Sequence, residues 1–124
     1  MDSVVHFDFT AAVPERAKKF YINTFGWKFT DLPEMNYSMI YTGEVDSNFM
    51  LKEKGRINGG MTLKGEQAKS PVLVINVASV SSALKRIEKN GGTVVMPKTE
   101  VGDQGYYARF TDTEGNLMGV WEDR

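Results

Sequence analysis

The chain has no cysteine in its 124 residues and only one histidine. The first absence excludes disulfides, a thiolate nucleophile and cysteine-ligated zinc, and it leaves the redox compartment open. Neither sign of charge dominates. Fifteen Lys and Arg stand against 16 Asp and Glu, a formal net charge of −1, so the chain offers no basic field and nucleic acid is not an expected partner. No apolar run approaches the ~18 residues of a membrane span, so no membrane association is expected. The opening Met1-Asp2-Ser3 places no positive stretch ahead of an apolar one, and the cytoplasm is the expected location. What remains is ordinary for a soluble folded chain, 41% hydrophobic and 25% charged. A chain of this length is expected to form one domain, residues 1–124, with a core that needs no staples.

Within that domain the sequence repeats itself. Residues 4–29, VVHFDFTAAVPERAKKFYINTFGWKF, carry an apolar strand, a helical run and a Gly-led second strand, and residues 70–95, SPVLVINVASVSSALKRIEKNGGTVV, follow the same order. Ala17 and Ala83 stand 66 residues apart, as do Gly26 and Gly92, so the unit is used twice, over about 4–63 and 70–122. In the first unit, Val4–Thr10 alternates Val5, Phe7 and Phe9 with His6, Asp8 and Thr10. A helix opening on Pro14 and ended by Asn23 to Gly26 follows, its stripe being Val13, Ala17, Phe20 and Tyr21. Strands are expected at 27–32, 37–42 and 57–63, with 44–56 a long polar loop able to flank a site. In the second unit, 71–77 reads as a strand, then a Ser-capped helix with Val80, Ala83, Leu84 and Ile87 on one face, ending at Asn90-Gly91. A strand over 93–96 and a hairpin of 105–111 and 116–122, turning on Asp112-Thr113-Glu114-Gly115, complete it. The polar stretch 64–70 links the units. Tyr37–Thr42 and Tyr106–Thr111 give a further offset of 69, and both halves read βαβββ.

A duplicated βαβββ unit with HFDF, PERAKKFY and FGWKF near the start, INGG before the linker and GYYARFTDTEGNLMGVWE at the end resembles the vicinal oxygen chelate superfamily, which unites glyoxalases, bleomycin-resistance proteins and dioxygenases. The likeness covers nearly the whole chain and is nearest to the glyoxalase-like branch. It implies an α+β fold in which the two repeats pair into an open, curved-sheet barrel with the site on the concave side. Fold is better specified than chemistry here, because one superfold hosts many reactions.

In metal-using relatives, four ligands, typically His, Glu or Gln, His and Glu, come from the first and last strand of each unit. Carried over through the repeat, these slots fall on His6, Gly60, Val72 and Gly119. His6 alone is of ligand type, so no metal held jointly by the two units is expected and no cofactor is assigned, although the resemblance leaves a divalent ion open. Asp8 lies on His6's strand face. The two are the candidate catalytic pair, with His6 as general acid or base, or else His6 is a structural imidazole hydrogen-bonded to Asp8. Strand alternation carried through the duplication places Asn58, Gly60, Val72, Val74, Gly119 and Trp121 on the same candidate pocket. The glycines mark close backbone approach or room for a bulky ligand, and Trp121 is either core or a stacking surface. Arg109 is a candidate for a carboxylate or phosphate, or a solvated cation. The resemblance implies a small-molecule lyase or isomerase, related to lactoylglutathione lyase, with a degenerate metal site. The alternative is a metal-free protein that sequesters a small molecule, as bleomycin-resistance relatives do. A homodimer is the expected assembly.

Overall fold

The computed structural model describes residues 1–63 and 70–124, so all of the expected linker except Ser70 lies outside the described residues. The elements run in the order β1 (Val4–Ala11), α1 (Pro14–Phe25), β2 (Lys28–Leu32), β3 (Tyr37–Tyr41) and β4 (Asn58–Leu63), and then β5 (Val72–Asn76), α2 (Val80–Lys89), β6 (Thr93–Val101), β7 (Gly105–Thr111) and β8 (Leu117–Asp123). The class is α+β, as expected, and βαβββ occurs twice. Two compact units result, one from His6–Pro71 and one from Val72–Arg124 together with Met1–Val5. The N-terminal residues join the second because the Ser3 carbonyl accepts the Asn76 N–H at 2.9 Å. Among the described residues, no helix is long and apolar enough to cross a membrane.

In the first unit the strands lie in the order β2-β3-β4-β1, with β1 and β4 parallel and the rest antiparallel. Pro14 opens α1 at a position whose N–H would be unpaired anyway. Gly26 ends it in the left-handed region at φ 73°, its N–H reaching the Ile22 carbonyl at 3.0 Å. One face of the sheet packs against this helix: Ala11, Ile40 and Met61 are buried, with Phe7, Phe9, Ala17, Trp27 and Phe29 packed around them. Tyr21 on α1 stacks on Trp27 with centroids 4.8 Å apart and planes 6° apart, tying the helix to the chain that leaves it. On the same face, Lys18 bonds Asp31 at 2.9 Å and Ser38 donates to Asp31 at 2.7 Å.

Those two bonds hold the Asp31 carboxyl below its ordinary range, the Ser38 hydroxyl contributing most and Lys18 next. A carboxyl whose pKa is depressed on folding adds stability that is present above its unfolded value of 3.8 and fades as pH falls through the folded one. Asp31 is more than half exposed, so the expected effect is small, under about 1 kcal/mol. Urea unfolding of Asp31→Asn and wild type should differ at neutral pH and converge in acid. A difference that persists below the folded pKa would reject this account.

The second unit orders its strands β5-β8-β7-β6. Its core is Val77, Val80, Ala83, Ala108, Phe110 and Val120. Ser79 caps α2 by accepting the Ser82 N–H at 3.2 Å, and the Glu122 carboxylate accepts the Val80 N–H at 2.8 Å. The hairpin turn is organised by Asp112, which accepts the Glu114 and Asn116 N–H groups, each at 2.9 Å. Beyond expectation, β6 extends from Thr93 through Pro97 to Val101, with register shifts between Val94 and Met96 and between Met96 and Thr99. Within its unit this strand pairs only with β7, and an outer strand with irregular register is where proline can sit without deleting a ladder bond. Residues 33–35, read as a turn, form a single 3-10 turn that ends at Asn36, φ 50°.

Candidate active site at His6, Asp8 and Tyr37

Alternation along β1 sends Phe7, Phe9 and Ala11 toward α1, leaving His6, Asp8 and Thr10 on the opposite face. On β4, Asn58 stands opposite His6 and Gly60 opposite Asp8. On β3, Met39 stands opposite Gly60 and Tyr37 opposite Thr62. Tyr37 therefore starts two strand spacings across and two residues along from Asp8, about 12 Å away. Only a long side chain lying across Gly60 can close that gap, and a Cβ built at Gly60 would fall 1.4 Å from the Tyr37 hydroxyl.

The three groups meet there. Tyr37 donates its phenolic proton to Asp8 Oδ1 at 2.8 Å, and His6 Nε2 lies 3.1 Å from both that carboxylate oxygen and the phenol oxygen. Asp8 is 9% exposed, whereas the His6 side chain keeps 33% of its surface. The hydrogen-bond pattern assigns the tautomer. With the phenolic proton committed to Asp8, both oxygens facing Nε2 are acceptors, so in the neutral imidazole Nε2 carries the hydrogen and Nδ1 is the nitrogen with the lone pair. Carboxylate, imidazole and a second ring nitrogen in that order are the parts of a positioned general base.

Gly59 and Gly60 seat aromatic rings: a Cβ at Gly59 would meet the Phe7 ring at 2.5 Å, on the helix side. Close approach is thus the reason for the glycine pair, and the space at Gly60 is taken by Tyr37. Gly60→Val is expected to displace the Tyr37 ring and cost about 1–3 kcal/mol, read by urea unfolding. Tyr37→Ser should relieve part of that loss in a double-mutant cycle. Strict additivity would mean that ring and glycine do not share the space.

The remaining candidates have these partners within their own units. The Asn58 side-chain Oδ1 accepts the Thr42 N–H at 2.8 Å, so this residue pins the chain where it leaves β3. In the second unit, Val74 pairs with Gly119 as Asp8 pairs with Gly60, and Arg109 pairs with Gly119 as Met39 pairs with Gly60. The β3-to-β7 offset is therefore 70, not 69, and Tyr107 is the counterpart of Tyr37. It covers Gly119, whose Cβ would lie 2.7 Å from its hydroxyl. Here the acid and imidazole are replaced by Val74 and Val72, both buried, and the Tyr107 hydroxyl instead accepts Arg109 Nε at 2.9 Å. Trp121 donates its indole N–H to Asp123 at 2.8 Å and lies against Gly105. Of the two units, the first alone carries a carboxylate and an imidazole at these positions.

A divalent ion asks for three or more protein donors. The first unit supplies His6 and Asp8, and the direction a side chain at Gly60 would take is filled by Tyr37. Among the described residues, no three His, Asp or Glu side chains are grouped to hold an ion. The described residues at these positions do not fit a metal, and the chemistry below uses none.

In the sequence Tyr37 stands out only as the first residue of a strand. Its signal was the glycine on the neighbouring strand, since a flat ring commonly fills the gap a strand glycine leaves. Lys28 and Lys52 were also passed over; with Tyr41, Glu44 and Phe49 they line a cavity of about 470 Å³ on the first unit.

A model of the Glyoxalase/Bleomycin resistance protein/Dioxygenase superfamily matches residues 3–120. The chain is 28% identical over 111 residues to a protein named "Putative glyoxylase CFP32" in Mycobacterium bovis and to its namesake in Mycobacterium tuberculosis; the match covers 86% of this chain and 40% of theirs. The chain thus spans about two fifths of the length of these curated relatives. Among solved structures, hypothetical protein BH1468 from Bacillus halodurans matches with a TM-score of 0.69 at 13% identity, over 99% of this chain and 95% of that one. Methylmalonyl-CoA epimerase from Mycobacterium tuberculosis matches with a TM-score of 0.67 at 11% identity, over 98% and 87%. Likeness at such identities speaks for the fold alone. The match over residues 3–120, on two βαβββ units, shows that the chain belongs to the glyoxalase/bleomycin resistance protein/dioxygenase superfamily.

Proposed function

We propose that the chain is an isomerase- or lyase-type enzyme acting by proton transfer on a small carbonyl compound, with His6 as the proton carrier. The observation that carries this reading is the hydrogen-bond pattern at His6, which commits Nε2 to Asp8 and Tyr37 and leaves Nδ1 as the basic atom. Nδ1 takes the proton from the carbon beside a carbonyl, and the C–H electron pair moves into the adjoining C–C bond as the carbonyl π pair goes to oxygen. Return of the proton to the other face or a neighbouring carbon isomerises the substrate. Expulsion of a group from the next carbon makes the reaction a lyase step. Asp8 faces the imidazolium formed on the way and stabilises it, while Tyr37 holds Asp8 in place.

The test is washing of solvent deuterium into candidate carbon acids, followed by proton NMR. Methylmalonyl-CoA, lactoylglutathione and simple 2-oxo acids form the panel. Catalysed exchange in at least one supports the reading, and Tyr37→Phe should slow it about tenfold or more, as loss of a partner that orients a functional imidazole does. A compound that binds without exchange would favour the second reading, a metal-free sequestering protein. That alternative draws on Gly60, Val72 and Gly119, which supply no donor atom at three mapped ligand positions.

A further inference from the structure

We propose that the cavity beneath the loop 43–52 seats the anionic group of an extended ligand, a carboxylate or phosphate held between Lys28 and Lys52, whose other end lies at His6. This rests on the reading of His6 given above.

The strand registers set the frame. His6 stands opposite Asn58, and Lys28 opposite Tyr41. Ile40 opposite Gly59 brings Tyr41 beside Asn58, a junction closed by the bond from the Thr42 N–H to Asn58. His6, Asn58, Tyr41 and Lys28 thus form one row across β1, β4, β3 and β2. They share the sheet face turned away from α1, because their neighbours Phe7, Ile40 and Phe29 are on the helix side. Three strand spacings separate the ends of the row, about 14 Å between the Cα atoms of His6 and Lys28. That is the reach of a small extended metabolite.

At the Lys28 end lies the cavity of about 470 Å³, a volume usual for a small-molecule site. Thr30 and Tyr41 line the sheet side, and Glu44, Phe49 and Lys52 the loop side. Two ammonium groups against one carboxylate leave a charge of +1. Of the lysines in the described residues, Lys18 and Lys98 have carboxylate partners, and no ion pair ties Lys28 or Lys52. Lysine ammonium groups act as point charges that suit either carboxylate or phosphate, and the Tyr41 and Phe49 rings would cover an apolar body between the ends.

The loop is built to hold its place. Asp46 Oδ1 accepts the Asn48 and Met50 N–H groups at 2.8 and 3.1 Å, Val45 bridges Leu51, and Arg56 donates to the Thr42 carbonyl at 2.8 Å. This frame holds Phe49 at φ 62°, a left-handed conformation unusual for a bulky residue, with the residue 67% exposed at the cavity. An exposed, conformationally costly aromatic makes sense where it closes over a ligand.

The experiment is titration of the full chain with inorganic phosphate, and separately with benzoate, followed by amide chemical shifts. One anion or both should move resonances of residues 28–30 and 41–52, with weaker binding at high salt. Lys28→Gln/Lys52→Gln should weaken that binding about tenfold or more, and Glu44→Gln should tighten it, since charge is what each changes. A preference for one anion identifies the group as phosphate or carboxylate. Shifts confined to other regions, no shifts with either anion, or affinity unaltered in the double variant would overturn the proposal. Because the titration reads binding without turnover, its failure is separable from failure of the His6 assignment, which deuterium exchange reports.

Discussion

The His6→Gln variant is expected to exchange substrate deuterium about 10²–10⁴-fold more slowly than wild type, the usual contribution of a positioned general acid or base. Glutamine is chosen because its amide can still donate to Asp8 Oδ1 and fill the volume, while it has no atom to replace Nδ1 as a base. Stability should therefore change little, within the ~0.5–1.5 kcal/mol of one hydrogen bond, and Asp8 keeps its bond from Tyr37. A variant that exchanges as fast as wild type removes His6 from the chemistry. One that unfolds shows that the imidazole is a structural part of the network, the alternative reading of this residue.

Ile40→Ala should produce the largest loss of stability in the first unit. Ile40 is 0% exposed and packs with Ala11 and Met61, the Phe7, Phe9, Trp27 and Phe29 rings closing the cluster. The neighbours on three strands are held by ladder hydrogen bonds and cannot collapse into the gap. The cost is then the lost transfer of three carbons plus the cavity they leave, about 2–5 kcal/mol. Against a total of roughly 5–15 kcal/mol this is a large fraction, and it corresponds to a fall in Tm on the order of 10 °C. Ile40→Val, which removes one carbon, should cost about 0.5–1.5 kcal/mol. Urea unfolding with an unchanged slope is the measurement. A loss under about 1 kcal/mol for the alanine variant would mean that the site relaxes and that this core is not tightly packed.

Elements whose signals are local were legible in the residues. Pro14 and Gly26 bracket α1 because a fixed φ suits the first turn and a missing Cβ suits the left-handed end. Ser79 marks the start of α2 by capping it, and Asp112 to Gly115 mark the hairpin, whose bonds all fall within five residues. Of the long β6 only 93–96 is legible locally, since Pro97 weighs against a strand unless its position at the outside of the pairing is known. The offset between the two hairpins came out one residue short for a related reason. Aromatic matches suggested Tyr106 as the partner of Tyr37, whereas ladder pairing decides which tyrosine covers which glycine.

The sequence by itself therefore determined the duplicated βαβββ order, the α+β class and the single histidine with an acid on its strand face, all of which follow from near neighbours and from period-two alternation. Tertiary structure alone decided that the phenol of Tyr37 crosses Gly60 to meet His6 and Asp8. It also decided that Tyr107 and Arg109 replace that arrangement in the second unit, and that Lys28 shares a cavity with Lys52. Each of these joins residues on different strands or on a loop folded over a sheet. Their proximity depends on cross-strand register, and a one-residue change in register turns a side chain to the other face.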